Sequence, residues 1–147
     1  MALALSGCAR FEKKDPDMTP EESNAQITEL FERTIVALGG GEWSNSIGGA
    51  EACVTAAGNQ GAQFIIQRIG PGSRDPEGDT ELVRRLWVDA GFATTHALLD
   101  RGTVQQLLHP RDANGLVLEF NATEHALIVF GQTVCAPGDD ADYPGEG

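Results

Sequence analysis

The sequence predicts an α+β domain in which two helices pack on one face of a mostly antiparallel sheet of four to five strands, in the order α-β-β-α-β-β-β. Three observations lead there. Two segments carry apolar residues at helical spacing behind strong helix-start signals. Several short runs are apolar or alternate apolar with polar residues. Hairpin-type turn sequences join neighbouring runs, which favours antiparallel pairing.

The first helix starts at Thr19-Pro20-Glu21-Glu22, with a hydroxyl cap, proline in the first turn and acids where the helix dipole favours them. Ile27, Leu30, Phe31, Thr34, Ile35 and Leu38 form one stripe, and Gly39-Gly40-Gly41 ends the helix. Those glycines read as a helix C-cap. A phosphate loop would need a preceding strand and a following Lys-Ser/Thr, and neither is present. Glu51–Ala56 is a weak strand and Gln63–Ile69 a clearer one, joined as a hairpin through Gly58-Asn59-Gln60-Gly61. Asp79 is expected to cap a second helix bearing Leu82, Val83, Leu86, Trp87 and Ala90 and ending at Gly91.

Val104–His109, broken by Pro110, is the next strand. Thr94–Asp100 either extends it or is loop. Asn114-Gly115 turns the chain into an alternating strand with Leu116, Leu118 and Phe120 on one face. Ala122-Thr123-Glu124 turns it again into Leu127–Phe130, which leads to Cys135. Residues 19–137 form the single domain. The acidic tail 138–147 is expected to be disordered.

The chain has 147 residues, 41% hydrophobic and 22% charged, which suits one globular core. Its net charge is −12, so it repels phosphate backbones, and nucleic acid is not an expected partner. Leu5-Ser6-Gly7-Cys8 fits a lipobox, with small residues before a cysteine that takes lipid as a thioether. Residues 1–7 then read as a residual signal peptide, with only the tail of a longer signal present, since Met1–Leu5 is shorter than the usual ~7–15-residue apolar region. Residues 8–18 read as a lipidated tether. The alternative is an apolar terminus with an incidental thiol. Cys53 and Cys135 are too far apart for a redox or zinc motif and read as one disulfide of an oxidising compartment, against the alternative of two buried thiols.

Trp43 shortly after a first helix, Cys53, a helix ending at Gly91, the Asn114-Gly115 turn and a closing Cys135, together with Cys8, resemble the small actinobacterial lipoproteins of the LppA-like family. The likeness covers most of the chain. It implies a location and an architecture and brings no activity with it.

Catalytic chemistry is not legible. His96, His109 and His125, even with Glu124 or Asp112, lack metal-site spacing, and no metal or cofactor is expected. There is no GxSxG. Asp139-Asp140-Ala141-Asp142 lacks the glycine and final glutamate of a calcium loop. Among 22 acids, chance carboxylate pairs are inevitable. Trp43, Phe64, Trp87 and Phe92 could line an apolar groove between helices and sheet, although core packing explains them more simply. The expectation is a non-enzymatic binding module, lipid-anchored through Cys8 at the extracytoplasmic face of the cytoplasmic membrane, with an envelope or phage protein or a lipid as partner. A phage-encoded or immunity-type exclusion lipoprotein and an envelope hydrolase are the alternatives.

Overall fold

The computed structural model describes residues 14–47 and 49–144. Helix α1 runs Pro20–Ala37, and its start is the expected one: the Thr19 hydroxyl accepts the Glu22 N–H at 3.1 Å. Helix α2 runs Pro76–Asp89 and starts earlier than the sequence suggested. Its cap is Asp75, whose carboxylate accepts the Gly78 N–H at 3.1 Å, because Pro76 is pre-set for the first helical position. Asp79 instead sits in the first turn, where its carboxylate takes the Ser73 hydroxyl at 2.5 Å.

The α+β class holds, but the sheet is larger than expected and is accompanied by a second one. Six antiparallel strands lie in the order β1 (Ser44–Ile47), β4 (Ile65–Pro71), β8 (Ala126–Gln132), β7 (Val117–Ala122), β6 (Val104–His109) and β5 (Thr95–Leu99). A smaller sheet orders β2 (Glu51–Val54), β3 (Gln60–Gln63) and β9 (Ala136–Pro137). The chain order is thus α-β-β-β-β-α-β-β-β-β-β, which corrects the four- to five-stranded, α-β-β-α-β-β-β expectation. Strand β1 has no alternating pattern of its own. It forms by pairing with β4, Ser44 opposite Ile69 and Ile47 opposite Ile66. The Gln63–Ile69 run is split at Phe64: its first part pairs with β2 and its second with β8.

That split is matched across the ladder. The chain leaves β8 for β9 at Thr133, opposite Phe64 where β3 passes into β4, so two neighbouring segments cross between the sheets together. Buried Thr133 holds the corner. Its hydroxyl accepts the Phe64 N–H at 2.8 Å and its own N–H donates to the Phe64 carbonyl at 2.9 Å, satisfying groups that a bent ladder would leave unpaired.

Both helices pack on one face of the large sheet. Leu118, Phe120, Leu127, Val129, Ile66 and Leu107 meet Ile27, Leu30, Phe31, Val83 and Trp87 in a continuous core. A β-carbon at Gly131 would come within 2.8 Å of the Phe31 ring, so this position sets how closely α1 approaches the sheet. Part of the acidic segment expected to be disordered is folded. Asp139 caps a short turn at Ala141, and the Tyr143 ring lies edge-on to Phe64 at 5.6 Å.

The end of the expected tether is docked as well. The Asp15 carboxylate accepts the Ala57 N–H at 3.0 Å and the Asn59 side-chain amide at 2.8 Å, in the β2–β3 turn. The Thr55 hydroxyl, the Asn59 amide and the Ala57 N–H hold its pKa below the usual carboxylate value. A depressed folded pKa means that the clamp is in place at neutral pH and is lost as pH falls through that lowered value.

Two outcomes follow for stability and exchange. Thr133→Val should lower the stability of the oxidised protein by about 1–3 kcal/mol in urea unfolding, while Thr133→Ser, which keeps the hydroxyl, should recover most of it. Asp15→Ala should speed hydrogen exchange of the Ala57 amide at fixed pH and leave amides of β8 unchanged.

Candidate functional site

Cys53 and Cys135 are joined as a disulfide, as expected from the sequence. Their Cα atoms are 6.1 Å apart and their positions differ by 82. Cys53 lies in β2 opposite Gly61, and Cys135 leads into β9, so the bond passes over Gly61. A β-carbon there would fall 2.6 Å from the Cys135 sulfur and 2.8 Å from the Ala136 carbonyl. The Cys135 N–H also donates to the Asn114 carbonyl at 2.8 Å, tying the Asn114-Gly115 turn to the same corner. Cys8, the expected lipid attachment site, lies outside the described residues.

The four aromatic candidates are dispersed. Trp87 is wholly buried; it stacks on Phe31 with 6.4 Å between ring centroids and donates its indole N–H to the Thr34 hydroxyl at 3.0 Å. Phe64 is buried at the corner beside Tyr143. Trp43 lies over Gly70 on β4 and donates to the Gly40 carbonyl at 3.1 Å. Phe92 meets the edge of His109 on β6 at 5.7 Å. Strand register puts Gly70 and His109 toward opposite ends of the sheet, so Trp43 and Phe92 do not share a groove wall.

The histidines are likewise separate. His96 pairs with Gln105 at 2.6 Å, and the His109 Nδ1–H donates to the Ala93 carbonyl at 2.6 Å. His125 lies in the β7–β8 turn. Among the described residues, no group of three His, Cys, Asp or Glu side chains is placed to hold a metal ion.

A cavity of about 720 Å³ opens at one end of the large sheet, between the start of α2, the β5–β6 loop and the β7–β8 turn. Asp75, Glu77 and Glu124 line it, with the hydroxyls of Thr103 and Thr123. Both hydroxyls serve their own turns. Thr103 donates to the Asp100 carbonyl at 2.8 Å, and Thr123 donates to the Ala126 carbonyl while accepting from the His125 and Ala126 N–H groups. Gln105 and His125 line it too, so the cavity presents acidic groups, one histidine, one amide and two hydroxyls already engaged by their own turns.

The second face of the large sheet is a different surface. The helices cover its other side, and cross-strand pairs place Gln67, Phe130, Glu119 and Leu108 in one row of this face and Ile69, Ile128, Asn121 and Gln106 in the next. These side chains are half-buried by one another or exposed. Glu119 accepts the Gln106 amide at 2.9 Å and the Asn121 amide at 3.0 Å. The sequence showed the alternation in β7 but gave no sign that the outward positions of β4 and β8 would be Ile69, Ile128 and Phe130 on an uncovered surface. That follows from register.

No protein-family model matches the chain, and no curated protein does. Among solved structures, the chain is similar to a DUF4853 family protein from Actinomyces odontolyticus ATCC 17982, with a TM-score of 0.59 and 20% identity over 86% of this chain and 73% of that one. What is shared is the fold.

Reduction of the disulfide should lower stability by about 2–5 kcal/mol, read from unfolding curves with and without reductant. Gly61→Ala should destabilise the oxidised protein by about 1–3 kcal/mol, since the new methyl meets both a sulfur and a backbone carbonyl.

Proposed function

We propose that this protein is an envelope lipoprotein that acts by binding, anchored by lipid on Cys8 at the extracytoplasmic face of the cytoplasmic membrane. In this reading the uncovered face of the large sheet meets a partner in the envelope. The observation that carries the proposal is the disulfide between Cys53 and Cys135, a bond that persists in oxidising compartments. The resemblance to LppA-like small lipoproteins through Trp43, Cys53, Gly91, Asn114-Gly115 and Cys135 supports it, and a shared fold with an Actinomyces protein is in keeping with it.

The docked Asp15 gives the anchor a geometry. Asp15 stands seven positions after Cys8, a reach of at most ~25 Å, so lipid on Cys8 keeps the β2–β3 turn close to the bilayer. Among the described residues no helix is long and apolar enough to cross a membrane, and the lipid supplies the attachment. A net charge of −12 keeps the domain itself off an anionic surface.

The test is intact mass and membrane fractionation of protein expressed from its native upstream region, beside Cys8→Ala. Wild type should gain diacylglycerol mass and sediment with membranes, and Cys8→Ala should do neither. Soluble, unmodified wild-type protein overturns the reading.

A further inference from the structure

We infer that the uncovered face of the six-stranded sheet is a self-association surface, on which a second copy of this chain packs face to face. The inference deepens the proposed binding role by naming the partner. It rests on that reading only in taking this face as the interaction surface.

Three observations carry it. The first is composition. A one-sided antiparallel sheet ordinarily turns polar residues to water, yet this face presents Ile65, Ile69, Leu108, Val117, Ile128 and Phe130. Ile69 is 41% exposed, whereas Ile66 and Val129, on the helix side of the same two strands, are closed off.

The second is charge. The chain has 22 acids, and among the strand residues of this face Glu119 is the single one. The amides of Gln106 and Asn121 both donate to its carboxylate. Two bodies of charge −12 repel wherever their acids meet, and this is the surface on which they need not meet. Its strand residues include no lysine or arginine, and the Arg111 guanidinium reaches it only at Gln132, in the end row of the face, so its centre has nothing with which to attract an anionic bilayer or an acidic peptide.

The third is area. Six strands about 4.8 Å apart and about six residues long make a face of about 600 Å² per copy, about 1,200 Å² for the pair, which reaches the lower bound of specific interfaces. Two such faces stack about 10 Å apart, as in a β-sandwich, and the helices of both copies lie outermost. A small ligand has less claim on this face, because the cavity of about 720 Å³ opens at the end of the sheet.

The experiment is sedimentation equilibrium of the oxidised full chain carrying Cys8→Ala, without lipid, from about 1 μM to about 1 mM. A monomer–dimer equilibrium is expected, tighter at about 0.5 M salt than at low salt because screening relieves the repulsion of two acidic bodies. Phe130→Arg and, as a second variant on the same strand, Ile128→Arg should each weaken it at least about tenfold while keeping the wild-type near-ultraviolet spectrum. Glu119→Gln, which removes the one charge and keeps a hydrogen-bonding group, should tighten it several-fold. Val36→Arg, on the outer side of α1 where Val36 is 73% exposed, should leave it unchanged.

A monomer at every concentration and salt overturns the inference. So does a dimer weakened by Val36→Arg and indifferent to Phe130→Arg, or a monomer that binds vesicles of neutral lipid through Phe130. The envelope reading is decided separately by the mass and fractionation of the Cys8 protein. A lipidated, membrane-bound monomer removes self-association and leaves the anchored module standing.

Discussion

The fold depends on one corner, where two paired strands leave the large sheet together and become two of the three strands of the small one. A strand pair bends this sharply only if the backbone groups at the bend find other partners. The side chain and backbone of Thr133 supply them to Phe64. From that corner the rest is positioned: β3 and β9 beneath the start of α1, Cys135 over Gly61, Tyr143 against Phe64, and the Asn114-Gly115 turn on the Cys135 backbone. A single polar side chain in an apolar interior thereby couples two sheets into one body.

Much of this architecture was legible in the residues. The capping pattern at Thr19-Pro20 gave α1 its start, and the alternation of Leu116, Leu118 and Phe120 gave the buried side of the sheet. The misses have physical causes. Strand β1 draws its conformation from β4 rather than from its own side chains, so no local pattern announces it. The break at Phe64 falls inside a segment, Gln63–Ile69, that reads as one strand, and only the partner strand's own departure reveals it. The second helix was capped one turn late because Asp75 and Asp79 are both capable caps; Pro76 decides between them.

The site was less legible than the fold. The cysteine pair was readable from count and distance. The aromatic residues were not a guide, because Trp87 and Phe64 fill core positions while Trp43 and Phe92 lie toward opposite ends of the sheet. What distinguishes the uncovered face is a sum over strands far apart in sequence, Phe130 beside Glu119 beside Leu108. Such a surface exists only once register is fixed. The same holds for charge: a strongly acidic chain gives no hint in its linear order that one of its broad surfaces is almost free of carboxylates.

The disulfide has a consequence in time as well as in energy. Its partners stand at positions 53 and 135 of 147, so the second thiol emerges only after every strand of the large sheet has been made. The order of synthesis therefore leaves strand pairing free to precede oxidation. A chain cut short before its final strands carries Cys53 as an open thiol, and so is chemically marked as unfinished to any thiol-handling machinery it meets.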